Sequence, residues 1–571
     1  MKKLIIFFIT LVLFSLLLAD GTPPDGEGTE TDPYQIATLD NLLWLTTTAT
    51  VWTSTTYFLQ TEDIDASDTQ NWNDGAGFIP IGEFSTPFFQ STYIGDDHVI
   101  DSLYINRPNT DYVGVFGYVY GATIEALSVT NITISGRNDV GGIVGNCYYA
   151  AISECYVNGD ISGGDEVGVL VGWSYYSTIT GSYAEGSVTG NQKIGFLVGI
   201  NTKTTINNSY YNYETALIND QHLFSIGALT NDLYNDWMNN NMILDISDYL
   251  TFDGDYYLIS NEDDLEKLLF FGQYPEYNYL LTADLDLATY PDFFIPYLAG
   301  DFNGSYHIID GLDVNCPAIS TIGLFGYVTG VSISALGITN ANVSGSNYTG
   351  SVAGWFYNST LNECYASGNV TGSYFVGGFV ARNDFSTISE CYATSSVTGS
   401  DFVGSLVGVN IGDGLIINCY ARGDATGEFE VGGLVGNNHQ STISKCYATG
   451  VVDGRTNHGG LLGYNYHADI NYCVWNAETS GENYSVGENF YGIVLGLVSA
   501  NTAEMQMMST FTDIGWDFAN ESINGDEDFW NIAAETNDGF PYIDDIELNV
   551  INDENVIENV KLKIILTPLI Q

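Results

Sequence analysis

Residues 431–450 read VGGLVGNNHQSTISKCYATG, and residues 376–394 read VGGFVARNDFSTISECYAT. One glycine-rich, half-apolar unit has been written twice, 55 residues apart, with a cysteine at the same place in each. Working outward from this pair, the signature [VI]-G-x-[ILVF]-[VFA]-[GA] recurs with some slack at VGVFGY (113), VGGIVG (140), VGVLVG (167) and IGFLVG (194), a step of 27 each time. It returns at IGLFGY (322), TGSVAG (349), VGGFVA (376), VGSLVG (403), VGGLVG (431) and HGGLLG (458). Only the 403 to 431 step is 28, and the extra residue lies in VNIGDGLIINCY, read as a turn insertion.

Aligning the copies gives columns. One reads Ile152, Ile179, Ile206, Leu361, Ile388, Ile416, Ile443, Ile470. Three residues later comes Cys155, Ser182, Ser209, Cys364, Cys391, Cys419, Cys446, Cys473. A third, Ile161, Val188, Val370, Val397, Ala425, Val452, is mostly followed by Thr-Gly or Ser-Gly. Each repeat therefore holds short runs rich in Val, Ile, Thr and Tyr, separated by Gly, Asn and Ser, which is strand-turn-strand chemistry. No repeat carries a helix-length apolar pattern. Strands coiling at a constant step, with like residues above like, predict an all-β parallel β-helix, a solenoid whose coils pair about 4.8 Å apart.

The cysteine slot is shared with Ser182 and Ser209, so it wants a small, weakly polar side chain inside the coil, and a buried free thiol suits it. Eight cysteines would allow disulfides. However, in-register side chains on successive coils point the same way, whereas a bridge needs converging Cβ vectors. Cys147 and Cys155 within one coil are the best exception, and Cys316 stands alone. Ligands spaced along one column form a line rather than a tetrahedron, so no cysteine metal site is expected.

The coils fall into two tandem modules with similar heads. DPYQIATLDNLLWL (32–45), YFLQTEDIDAS, FIPIG and DDHVIDSLYI precede the first set; DYYLISNEDDLEKLL (255–269), YLLTADLDLA, FIPYL and YHIIDGLDV precede the second, in the same order. Leu39, Leu42 and Leu43 after Thr38, and Leu265, Leu268 and Leu269 after Asn261, predict short amphipathic capping helices. Such helices would block pairing at an open solenoid end. The expected divisions are a signal peptide (1–19), first head (20–112), first coils (113–228), closing helix and linker (229–254), second head (255–321), second coils (322–500), aromatic-rich C-terminal cap (501–545) and tail (546–571). Lys2 and Lys3 ahead of an unbroken apolar run from Leu4 to Leu18 have the form of a secretory signal. An uncleaved anchor is the alternative, since Leu17 is large for a cleavage site. No other stretch is long and apolar enough to span a bilayer.

With 45% hydrophobic residues, 63 Gly, 40 Tyr and only 15% charged residues, the chain is too apolar and aromatic for disorder. It carries 13 basic residues against 70 acidic, a net charge of −57; without the signal, 11 against 70 leaves about −59. That repels a phosphate backbone and an anionic membrane surface, so nucleic acid is not an expected partner.

The coils resemble GLUG-motif repeats, named for Gly-Leu-x-Gly, as in GGLVG at 432–436 followed by STISKCYATG. The resemblance spans roughly residues 27–543. It implies right-handed β-helical regions of bacterial secreted or surface proteins, often adhesin-like, some joined to a metallopeptidase. This chain departs from the last group: none of its six His lies in H-E-x-x-H.

A β-helix does not by itself confer an enzyme activity. Glycoside hydrolysis needs two carboxylates facing one bond. The nearest cluster, Asp96-Asp97-His98, matches Ser305-Tyr306-His307 in the second head, without the acids, so a turn or packing role is expected and no catalytic residue is assigned. DIDASDTQNWND (63–74) alternates carboxylates as calcium loops do but lacks the glycine at the sixth position, so no metal or cofactor is assigned. The column Tyr156, Tyr183, Tyr210, Tyr365, Tyr392, Tyr420, Tyr447 follows the Cys/Ser slot directly, and strand alternation turns it outward. Tyr365, Tyr392, Tyr420 and Tyr447 are the candidate sugar-binding strip; stacking that only stiffens the sheet is the alternative. The expected function is a non-enzymatic secreted or cell-surface repeat protein, adhesive or matrix-binding, with glycans or host or matrix surface molecules as partners. A polysaccharide lyase or hydrolase, or a purely structural spacer, are the competing readings.

Overall fold

The computed structural model describes residues 21–543, apart from 86, 520, 522, 523 and 526–528. The expected signal segment, or uncleaved anchor, and the tail from 546 lie outside the described residues. The chain is a parallel β-solenoid. Every strand pair belonging to the coils is parallel, and each column expected from the sequence is a ladder: Ile443 pairs with Ile416 before it and Ile470 after it, and Tyr447 follows Tyr420.

The coil 429–453 shows why this sequence coils. Its strands are Phe429–Gly432, Val435–His439, Thr442–Ser444, Tyr447–Ala448 and Val452–Asp453. The V-G-G-L-V-G signature makes a corner that has no room for side chains at its glycines. A Cβ on Gly432 would lie 2.0 Å from the Val435 carbonyl oxygen, and one on Gly436 would lie 2.6 Å from the Phe402 and Val403 backbone of the preceding coil. Only hydrogen fits there. Further corners use left-handed residues that are not glycine, Gln440 (φ 50°) and Lys445 (φ 49°).

The second of these corners explains the cysteine. Glu363, Glu390, Asn418, Lys445 and Tyr472 all take φ between 52° and 55° or, for Lys445, 49°, immediately before the slot. The slot side chain braces the bend by donating back to the carbonyl two residues earlier: Cys364 to Asn362, Cys391 to Ser389, Cys419 to Ile417 and Cys446 to Ser444, each at 3.1 Å. Ser182 and Ser209 make the same bond to Thr180 and Asn207 at 3.1 and 2.9 Å. Ser182 Oγ also accepts from the Cys155 amide of the coil before, at 3.1 Å, as Cys391 Sγ accepts from the Cys364 amide at 3.4 Å. The slot thus requires a short side chain that donates and accepts. All eight cysteines are free and buried, and burial pushes the Cys155 thiol up to about 12.

A second interior ladder carries no sequence signature comparable to the cysteines. Asn383, Asn410, Asn438, Asn465 and Asn489 stand in register, each Nδ2 donating to the next Oδ1 at 2.8, 2.9, 3.0 and 2.8 Å. The first four are fully buried, which is tolerated because each amide bonds its neighbour, Asn383 Oδ1 at the start of the row being the one ladder oxygen left without a partner.

Helix α1 (Leu39–Thr47) begins at a capping box between Thr38 and Asn41 and buries Leu42 and Leu45 in the core. The first solenoid has four coils of the 27-residue signature and ends beside helix α2 (Asn231–Asn239). The second head follows, with helices α3 (Glu262–Glu266) and α4 (Leu268–Phe271). It seals the preceding coil: Tyr210 Oη donates to the Phe270 carbonyl at 3.2 Å, and Ile206, at the end of the Ile column, is only 2% exposed. The second solenoid continues through six GLUG coils and one shorter coil, Val486–Phe490, Ile493–Leu495 and Val498–Ala500. There the same column ends in Val494, which is 37% exposed, so this end is not sealed by the described residues. Helices α5 (Thr502–Met505) and α6 (Met508–Thr512) lead instead along the side of the coils. Among the described residues no helix is long and apolar enough to cross a membrane.

Candidate functional site

The Tyr column stacks as a column should. Tyr365, Tyr392, Tyr420 and Tyr447 have ring centroids 5.1, 4.7 and 4.9 Å apart, within 9° of parallel. The rings do leave the coil interior, as alternation requires, but the exposure expected of them is corrected by the structure. Tyr365 and Tyr392 are 7% exposed, and Tyr420 and Tyr447 are 0%. The cause is the segment after the coils, which folds back over them: Trp530 packs on Tyr420 and Tyr447 at 6.3 and 6.0 Å, Phe511 and Trp516 join it, and Tyr447 Oη donates to the Pro541 carbonyl at 2.6 Å. In the first module Trp237 of α2 covers Tyr183 and Tyr210 in the same way, at 6.2 and 5.0 Å. These four tyrosines are the seat of an aromatic clasp rather than a surface for a ligand.

Exposed rings lie on a different edge, at the corner that follows each G-x-L-V-G strand. There the strand's last residue and the left-handed turn residue after it face outward in most coils, Asp384 being a buried exception. In the first module Tyr120, Tyr148 and Tyr175 form one row, at 6.2 and 4.2 Å, while Tyr149 and Tyr176 form a second, stacked at 5.6 Å. Tyr120, Tyr149 and Tyr176 are 40 to 52% exposed. Burial and the neighbouring Tyr175 push the Tyr148 phenol up to about 12.

The edge continues across the module junction. Lys203 holds the turn position after Tyr176 and places its ammonium over three rings, Tyr176, Tyr357 and Phe385, at 5.4, 5.0 and 5.6 Å, within cation–π range. Further along, His439, Tyr466 and Phe490 stack at 4.9 and 5.9 Å, and His467 stacks on Tyr491 at 5.0 Å.

The edge lacks a ring at three corners, Thr202-Lys203, Thr329-Gly330 and one more inside the second solenoid. Between Phe385 and His439 the corner is Ile411-Gly412-Asp413, the coil with the extra residue. Gly412, at φ 68°, is needed because its Cβ would meet the Phe385 ring at 2.8 Å. Beside the insertion opens a polar groove of about 420 Å³ lined by Asp413, Gln440, Ser441, Thr442, His467 and Asp469.

The other sequence candidates are occupied by turn geometry. His98 Nδ1 lies 3.2 Å from Asp63, which also takes the Val99 amide at 3.0 Å; His307 and Asp284 repeat this with the Ile308 amide. The Val99 amide and then His98 hold the Asp63 carboxyl below its ordinary range. Asp65 accepts from the Ser67 amide at 2.9 Å. Among the described residues no three His, Cys, Asp or Glu side chains cluster to hold a metal ion.

Ladders of this kind, with an outward aromatic corner, define a β-solenoid repeat protein. Two of the coils, residues 372–398 and 427–453, match the family model of the GLUG motif, so the second solenoid carries GLUG repeats. It is 38% identical over 125 residues to halomucin of Haloquadratum walsbyi, covering 21% of this chain and 1% of halomucin. It is 32% identical over 152 residues to a protein of Evansella cellulosilytica that carries the provisional name Gly-rich membrane protein, covering 25% of this chain and 17% of that one. The chain thus spans a small fraction of the length of the curated relatives it matches. A solved structure from Bacteroides ovatus, provisionally named an immunoglobulin A1 protease, overlaps 51% of this chain and 93% of its own at 19% identity and a TM-score of 0.37.

Proposed function

We propose that the protein is a non-enzymatic, secreted or cell-surface solenoid that adheres to glycans or matrix through its aromatic corner edge. The observation that carries this is the edge itself: half-exposed rings on most of the coils between Tyr120 and Tyr491, on a rigid support. Aromatic faces suit the apolar faces of sugars, and equivalent weak contacts along one scaffold add by multivalency. The names of the two relatives, halomucin and a Gly-rich membrane protein, support an extracellular or surface setting. A charge of −57 argues against nucleic acid and anionic surfaces as partners.

A non-enzymatic role is favoured because the conspicuous acid–His pairs, Asp63 with His98 and Asp284 with His307, hold backbone turns in both heads alike. The test is a glycan array read twice, for retention of the protein and for release of sugar fragments. Retention without release supports adhesion; release of fragments would make the protein a carbohydrate-active enzyme.

A further inference from the structure

We infer that the gap in the aromatic edge at Asp413 is a binding subsite for an uncharged saccharide, with rings on either side stacking on the sugar and the carboxylates of Asp413 and Asp469 accepting its hydroxyl groups. The inference rests on the adhesive reading and sharpens it to one place and one ligand class.

Two independent irregularities coincide there. The sequence breaks its 27-residue step once within the second module's GLUG repeats, between 403 and 431, and the added residue falls at Gly412-Asp413. The open groove of about 420 Å³ lies at the same corner. In the neighbouring coils the corner is tighter: Asp384 passes through Phe385 to Ser386, and His439 through Gln440 to Ser441. The insertion leaves this corner without a ring, as Thr202-Lys203 and Thr329-Gly330 are, and here alone an added residue sets a carboxylate on the turn. Asp413 is held at φ 62° with its amide donating to the Gln440 carbonyl at 2.9 Å, so the turn is built into the coil stack rather than free of it.

The chemistry of the lining is that of hydroxyl recognition. Among the described residues, no hydrogen bond joins the side chains of Asp413, Gln440 or Asp469 to another residue, whereas Ser441 is used twice, donating to the His439 carbonyl and accepting from the Gly414 amide at 3.0 and 3.1 Å. Asp413 and Asp469, on coils two steps apart, each offer a pair of acceptor oxygens to hydroxyls on separate parts of a sugar chain, and the Gln440 amide between them offers both a donor and an acceptor. Phe385, 50% exposed, stands on one side of the gap; His467 stacked on Tyr491, 72% exposed, stands on the other. A sugar running along the edge would meet a ring, then hydroxyl acceptors, then a ring. Two unpaired carboxylates on a chain of net charge −57 exclude uronic acids and other anions.

The test uses the full secreted chain and soluble gluco-, galacto- and manno-oligosaccharides, with an oligogalacturonate of equal length as the anionic control, measured by titration calorimetry. The variant is Asp413→Gly, which suits the left-handed turn, combined with Asp469→Ala, its fold checked by thermal melting. A neutral oligosaccharide should bind, with affinity falling by about tenfold or more in the variant, the scale of losing charged hydrogen bonds; the oligogalacturonate should not bind. The inference is overturned if the folded variant binds the neutral probes as well as the parent does, or if the anionic probe binds best. It is also overturned if chelation with EGTA abolishes binding, because hydroxyl recognition would then depend on a bridging cation. Cell attachment separates the two readings. Attachment that needs Tyr148 and Tyr175 but ignores Asp413 and Asp469 removes the subsite and leaves adhesion standing, while a parent protein that attaches to no cell or glycan removes both.

Discussion

Changing Asn438 to Ala should destabilise the middle of the second solenoid far more than the same change at Asn489, although the two residues occupy one column. Asn438 is fully buried; its Oδ1 accepts from Asn410 Nδ2 at 2.9 Å and its Nδ2 donates to Asn465 Oδ1 at 3.0 Å. Removing it deletes two hydrogen bonds, about 1 kcal/mol each, and orphans the Asn465 acceptor, at least about 1 kcal/mol more, for a total of about 3 kcal/mol. Asn410 Nδ2 keeps the Gly414 carbonyl at 3.2 Å, so it adds no further penalty. Asn489 is exposed at the unsealed end, and Asn465 Nδ2, which donates to it, also reaches the Ala468 carbonyl at 2.9 Å. There water can replace the lost partner, and about 1 kcal/mol or less is expected. Each coil contacts chiefly its neighbours, so the loss should be local, and hydrogen exchange read coil by coil is the appropriate assay. Protection should fall around 410–465 in the Asn438 variant and only at 486–500 in the Asn489 variant. Equal protection in both would refute the ladder as a source of stability.

The thiols should resist alkylation in the native protein and react, all eight, after denaturation, since every one of them is buried out of reach of the reagent and burial raises Cys155 to about 12. Cys419→Ser should cost on the order of 1 kcal/mol in a urea titration because Ser182 already makes the slot's bond, whereas Cys419→Asp should prevent folding by burying a charge. Asp139 is buried, and that burial raises its pKa from 3.8 to about 7 despite the Asn146 hydrogen bond. Between those values the folded chain binds the proton and the unfolded chain does not, so stability should fall as pH rises from about 4 to about 7, by on the order of 3 kcal/mol. Asp139→Asn should flatten that slope in melting curves taken across the window. Tyr447→Ser should free the aromatic clasp, since it removes the bond to Pro541, and limited proteolysis should then cut within 501–543 before the coils.

The fold was legible because its physics is repetition: when every coil must satisfy its neighbours in the same way, Ile443 and Cys446 announce their columns at a fixed step. The cysteine's small size was readable from Ser182, but its duty of bracing a left-handed corner was not, because Glu390, Asn418 and Lys445 share a conformation and no chemistry. The Asn ladder escaped notice since Asn is abundant in turns, and nothing local marks Asn438 as interior. Alternation sent the Tyr column out of the coil, which is where it goes. It could not say that Trp516 and Trp530, some 70 to 110 residues beyond Tyr420 and Tyr447, would return to cover it. The aromatic edge was hidden for the opposite reason: its turn position holds Tyr176, Lys203, Gly330, Phe385 and His467 in different coils, so residue type is not kept along it, and only the shared corner unites them. The single 28-residue step was visible at once, and its meaning needed the groove beside it.

The most direct measurement compares two folded variants for attachment to the cells or glycans that retain the parent protein. One carries Tyr148→Ser, Tyr149→Ser, Tyr175→Ser and Tyr176→Ser on the exposed edge; the other carries Tyr365→Phe and Tyr392→Phe in the covered column. Attachment should drop steeply in the first, because contacts that add along one edge are lost together, and stay near the parent level in the second. Undiminished attachment in the first variant, or loss confined to the second, would contradict the assignment of the corner edge as the adhesive surface.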